Sequence, residues 1–150
     1  MFRKILLPTD FLPHAEHALK IAADLARTYD AELMLLHVHE VGAFELPNGY
    51  VTNMPSELDR MYEQLNQRLA ELEQRAREIG ARRVHTRVVQ GPILKEIASF
   101  ASDYDLIVMG SHGRRGIEHL LLGSVAESVL QRAPCPVLIV RTAAANQAAA

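Results

Sequence analysis

The sequence predicts an α/β fold: an open five-stranded parallel sheet of order 3-2-1-4-5 with helices on both faces. Three observations carry this. Short apolar runs alternate along the whole chain with amphipathic stretches of helical period, which implies strand–helix–strand units. Runs such as Glu32–His39 (ELMLLHVH) are apolar without interruption, as in a parallel strand covered on both faces. Right-handed crossovers with a single reversal of direction then give the strand order.

Ile5–Leu7 with its flanks is the first strand, ended by Pro8. From Pro13 to Tyr29, Ala15, Leu19, Ala22, Ala26 and Tyr29 recur at helical spacing, and Pro13 suits a first helical turn, where its missing N–H costs nothing. Glu32–His39 is the second strand. Val41–Met54, with Gly42, Pro47, Asn48 and Gly49, has no period and reads as a long loop. Ser56–Glu57–Leu58–Asp59 resembles a capping arrangement opening a long helix, whose stripe runs Leu58, Tyr62, Leu65, Leu69, Leu72, Ala76, Ile79 and stops at Gly80. The stripe spans only about three heptads, short for a coiled coil, so packing on the sheet is expected. Val84–Val89 is the third strand, Ile93–Ser102 a short helix, Asp105–Met109 the fourth strand, Ser124–Arg132 the fourth helix and Val137–Val140 the last strand.

Residues 1–141 are expected to form a single domain, followed by an alanine-rich, disordered tail over 142–150. A chain of 150 residues buries roughly 70% of its unfolded surface in one core. A formal net charge of −2 gives no field to recruit nucleic acid, and no stretch approaches the ~18 apolar residues of a membrane span. The single cysteine, Cys135, excludes a disulfide within the chain and is read as a buried, unreactive thiol. With no signal-peptide pattern at MFRKILLPTDF, a cytoplasmic protein is expected.

In such a sheet a ligand binds beyond the carboxyl ends of the strands that flank the reversal, here the first and fourth. Those ends carry Pro8–Thr9–Asp10–Phe11 and Gly110–Ser111–His112–Gly113. The second of them leads through Gly113 and Gly116 to Gly123 and Ser124 at the start of a helix. Glycines let backbone N–H groups approach a ligand, and a helix N-terminus presents unpaired N–H groups to an anion. Ser124 and Glu127 are spaced as a capping box, in which Ser124 caps the helix. Asp10 can either shape the turn and cap the first helix or accept a hydrogen bond from a base or ribose. Arg114 and Arg115 can screen phosphate charge or remain solvated.

Micromolar binding requires about 8 kcal/mol, whereas a helix terminus supplies ~1 kcal/mol, so a base slot must contribute as well. The backbone of Val38 and His39, at the end of the second strand, is the candidate. Neither common nucleotide fingerprint fits: no lysine precedes Ser124, and no G-x-G-x-x-G follows the first strand. Asp105 stands at the wrong end of its strand for a phospho-acceptor. Of the seven histidines, His37 with His39 and His14 with His17 share faces, but no third ligand is apparent, and no protein metal site is expected.

These residues resemble the universal stress protein family. Its G-x2-G-x9-G-S/T signature is met by Gly110, Gly113, Gly123 and Ser124, and the P-T-D-F turn, the L-L-H-V strand and the A-P-C-P-V-L-I-V ending are similar to it over about Phe2 to Arg141. The resemblance implies a Rossmann-like, adenine nucleotide alpha hydrolase-like fold and ATP as ligand, with magnesium or manganese as a possible companion held by its phosphates. By resemblance, Asp10 and backbone near Val38 would hold adenine, and Gly110 would lie against ribose and phosphates. Gly113, Gly123 and Ser124 would hold the phosphates, and Pro8, Thr9, His112, Arg114 and Val125 are expected to complete the nucleotide-binding set. Leu12 stands where the family commonly has serine.

The family also pairs as homodimers through its last strand. Independently, the third strand is guarded by Arg83, His85 and Arg87, whereas Val137–Val140 is bare and apolar and invites a second copy. The resulting expectation is an ATP-binding, homodimeric stress-response module with no catalytic residues. The alternatives are a slow ATPase or phosphotransferase using His112, Glu118 or His119 as base, and a dimeric scaffold whose glycines only shape the loop.

Overall fold

The computed structural model describes residues 1–40, 55–111 and 122–141. The strands are β1 (Lys4–Pro8), β2 (Glu32–His39), β3 (Arg83–Gln90), β4 (Leu106–Gly110) and β5 (Val137–Val140). The helices are α1 (Pro13–Tyr29), α2 (Pro55–Ile79), α3 (Ile93–Ala101) and α4 (Ser124–Arg132). All strands are parallel in the order β3-β2-β1-β4-β5, so the reversal falls between β1 and β4 as the sequence predicts.

Two apolar layers enclose the sheet. On one face α1 and α2 bury Ala18, Leu19, Ala22, Ala26, Leu69 and Ala76 against Ile5, Leu7, Leu33, Leu35 and Val108. On the other, α3 and α4 bury Ile97, Ala101, Ala126 and Val129 against Leu6, Leu36, Ile107 and Met109. Period-two alternation sends neighbouring residues of one strand into opposite layers, which explains why β1, β2 and β4 are apolar throughout. The long helix therefore packs on the sheet: Leu69 and Ala76 are fully buried on α2.

Helix ends follow local chemistry. Gly80, with φ +118, ends α2 in the left-handed region that a residue without a Cβ adopts freely. α2 begins at Pro55, so Ser56–Asp59 lie within its first turn rather than forming its cap. Strand β4 and helix α3 each differ by about a residue from the predicted limits, as frayed ends do. Among the edge strands, β3 exposes Arg83, His85 and Arg87, while β5 leaves Leu138 exposed and its other residues half-buried. Cys135 is half-buried rather than fully buried, and desolvation raises its thiol pKa, which disfavours the thiolate. Among the described residues no helix is long and apolar enough to cross a membrane.

Candidate functional site

The carboxyl ends of β1 and β4 are neighbours because these strands pair at Ile5↔Leu106 and Leu6↔Ile107. That register, carried forward, brings Thr9 level with Gly110. The chain then leaves the sheet on both sides, opening a crevice with different walls.

The β1 wall is a tight turn. Thr9 N–H still donates to the Leu36 carbonyl (2.9 Å), but the next residues bond among themselves. Thr9 Oγ1 accepts the Phe11 N–H (3.1 Å), and Asp10 Oδ1 accepts the Leu12 N–H (3.0 Å). Short polar side chains that bond their own backbone two residues on are the means by which such turns form. Phe11 takes a left-handed φ of 63. Of the two roles open to Asp10 in the sequence, shaping the turn is therefore in place, through one carboxylate oxygen. The Leu12 substitution has its consequence here: Leu12 is the N-cap of α1 and provides no side-chain hydrogen bond.

The β2 floor supplies backbone. Successive residues of a strand aim their N–H and C=O groups to opposite sides. Leu36 bonds toward β1 through its carbonyl, and the His39 carbonyl bonds away from β1 to the Gly91 N–H (3.1 Å). Val38 therefore faces β1, where the chain has already turned off, and no backbone hydrogen bond joins the two. The Thr9 carbonyl that would have received the Val38 N–H is instead bonded to His37 Nδ1 (2.8 Å). His37 is buried and engaged as a structural residue.

Among the described residues, backbone groups join the β4 wall to α4. Ser111, fully buried, donates its N–H to the Val140 carbonyl (3.0 Å), and its own carbonyl receives the Gly123 N–H (2.6 Å). This second bond ties the start of α4 to the end of β4. The capping-box reading is corrected here. The N-cap is Gly123, with extended φ −71 and ψ 157, so Ser124 is already helical and Glu127 donates its N–H to the Gly123 carbonyl (2.9 Å). A glycine cap has no side chain to occupy the first N–H groups of the helix. Those of Ser124, Val125 and Ala126 precede the first helical hydrogen bond.

The structure thus brings Pro8, Thr9, Asp10, Val38, Gly110, Gly123, Ser124 and Val125 to one end of the sheet. His112, Gly113 and Arg114 lie outside the described residues, as do Arg115, Glu118, His119 and the loop Val41–Met54. Among the described residues no group of three or more His, Cys, Asp or Glu side chains could hold a metal ion. A cleft of about 310 Å³ between α3 and α4, lined by Leu94, Ile97, Ala98, Ser128 and Arg132 among others, contains none of the predicted site residues.

Sequence comparison matches the profile of the Universal stress protein family to residues 1–141. The chain belongs to the universal stress protein family. Universal stress protein MJ0531 of Methanocaldococcus jannaschii is 38% identical to it over 144 residues, covering 94% of this chain and 83% of the relative. The solved structure of MJ0577 from the same organism superposes with a TM-score of 0.80 at 34% identity, covering 95% of this chain and 98% of that one. A universal stress protein solved in complex with cAMP is similar at TM-score 0.69 and 26% identity, covering 95% and 98%.

What sequence reasoning missed in this universal stress protein is the support beneath the β1 turn. Phe11 stacks on the His37 ring (centroids 4.5 Å apart) and under the Arg68 guanidinium (4.4 Å from the ring centroid). The only signal in the sequence is an aromatic residue in a turn of polar residues.

Proposed function

We propose that this universal stress protein is a nucleotide-binding regulatory module whose ligand is ATP, bound across the carboxyl ends of β1, β2 and β4. The observation that carries this reading is the glycine-capped start of α4, tied to β4 through Gly123 and Ser111, whose N-cap places no side chain on the first N–H groups beside the switch point. Gly110, Gly123, Ser124 and Val125 would take the phosphates, together with His112, Gly113 and Arg114 of the loop between. Pro8, Thr9, the second oxygen of Asp10 and the Val38 backbone would take adenine and ribose. A relative in complex with cAMP supports an adenine nucleotide as the ligand class. Any magnesium or manganese would be held through the phosphates, since such ions bind readily to phosphate oxygens and water.

The reading includes a homodimer in the cytoplasm. β5 is an edge strand with Leu138 38% exposed, and the adjoining α4 leaves Leu130 47% exposed. An apolar edge flanked by apolar side chains fits a second copy of the same strand.

The test is to denature the purified protein, analyse the released nucleotides, and titrate ATP against wild type and Gly123→Val. The Gly123 backbone is open to any residue, so the variant should fold, while its branched side chain obstructs the approach of phosphate. ATP affinity should fall at least tenfold; equal affinity in the two proteins would remove the site assignment.

A further inference from the structure

Phe11 is held in a conformation that an aromatic residue rarely adopts, and such backbone persists where the surroundings over-determine it. Four contacts do so. Thr9 Oγ1 accepts the Phe11 N–H (3.1 Å), His37 stacks on the ring, and Arg68 covers it at 4.4 Å. Arg68 Nη2 also donates to the Phe11 carbonyl (3.4 Å). Asp10 sits between these held residues, with Oδ1 committed to the Leu12 N–H. Two other arginines of α2 pair with carboxylates, Arg75 with Glu16 and Arg77 with Glu73. Among the described residues Arg68 has no ion pair, and its guanidinium contacts Phe11 through both ring and carbonyl.

We infer that Arg68 is a positioning residue for base selection: from α2 it clamps Phe11, and thereby fixes the Asp10 carboxylate that distinguishes adenine from other bases. This rests on the nucleotide reading above. The selectivity follows from the chemistry of a carboxylate, which accepts a hydrogen bond from the adenine amino group but meets the guanine carbonyl with no proton to share. Base selection therefore depends on where the carboxylate is held, and a loosened turn blurs it. The phosphate wall, carried by α4 on the opposite face of the sheet, does not depend on Arg68.

The experiment measures dissociation constants for ATP and GTP with wild type, Arg68→Ala and Arg68→Lys, and the amide exchange rate of Leu12. A cation over the half-buried Phe11 ring accounts for at least about a two- to fivefold effect. Arg68→Ala should weaken ATP by that factor and GTP by less, narrowing the ATP preference, and should speed exchange at Leu12, whose N–H is bonded to Asp10. Arg68→Lys keeps a cation above the ring and should recover part of the preference. A purely stabilising role would leave the ATP-to-GTP ratio unchanged at temperatures where both proteins are folded. A wild type that prefers ATP and an Arg68→Ala protein with the same preference overturn the clamp alone. A wild type that binds neither nucleotide overturns the nucleotide reading and the clamp with it.

Discussion

The two connections at the carboxyl end of the sheet are held in opposite ways. Between β1 and α1 the chain satisfies its own backbone: Thr9 and Asp10 each accept an N–H two residues on, and Phe11 is wedged between His37 and Arg68. Between β4 and α4, among the described residues, the hydrogen bond from Gly123 to Ser111 fixes where the helix starts, and the N-cap offers no side chain to its first N–H groups. The first arrangement fixes one side chain in place, as recognition of a base demands. The second leaves several donors open, as an anion requires. On the proposed reading a single crevice divides its work, with selectivity on one wall and charge on the other.

The sharpest way to break that division is to give α4 the cap it lacks. Gly123→Asp places a carboxylate where it can accept an N–H of the first helical turn, and changes stability by only a few tenths of a kcal/mol, in the favourable direction. The same carboxylate occupies the donors and repels phosphate. ATP affinity should fall by about a hundredfold or more while the thermal midpoint holds or rises, measured by titration and calorimetry on the same samples. Loss of stability alongside loss of binding would mean that Gly123 is needed by the fold, and the contrast between the two walls would disappear.

On the other wall, Asp10→Asn separates turn from recognition. The amide oxygen can still accept the Leu12 N–H, so the turn survives, but the second position now donates instead of accepting. Loss of one hydrogen bond to a charged group corresponds to about 1.5–3 kcal/mol, or roughly a ten- to hundredfold weaker ATP complex. Thermal stability should change little. If affinity is retained, Asp10 serves the turn alone, and base selection belongs to the Val38 backbone.

The fold was legible because each element carried its own period and its own stop signal. Pro13 opens α1, Gly80 closes α2, and the unbroken ELMLLHVH run could only be a strand covered twice. Of the candidate site, what was legible is the place that topology alone singles out, the reversal between β1 and β4. Ser124 was misread because serine three residues before glutamate is the usual cap pattern, whereas the chain direction at Ser111 and Gly123 sets the helix start one residue earlier. The Arg68–Phe11 contact joins residues 57 apart and leaves no periodic trace, so it emerges only when α2 is laid on the sheet.

The smallest expected effect lies at the opposite end of the sheet and marks how far the crevice extends. Asp105, just before β4, accepts the N–H groups of Arg3 and Lys4 through one oxygen (2.8 and 2.9 Å), joining β4 to the start of β1. The hydrogen bond from Arg3, then that from Lys4, holds its carboxyl below the ordinary value of 3.8. A carboxylate whose pKa is depressed on folding stabilises the folded state above its unfolded pKa, and that contribution is lost as pH falls through the folded value. Asp105→Asn can present its amide oxygen to the same N–H groups but carries no charge to titrate. The variant should therefore melt slightly below wild type at pH 7, and the gap should close as pH drops below 3.8. Parallel melting curves across that range would mean the exposed carboxylate contributes nothing beyond a neutral acceptor. ATP affinity at pH 7 should be the same in both proteins, because Asp105 lies at the amino end of β4, a full strand length from the wall that would hold the phosphates.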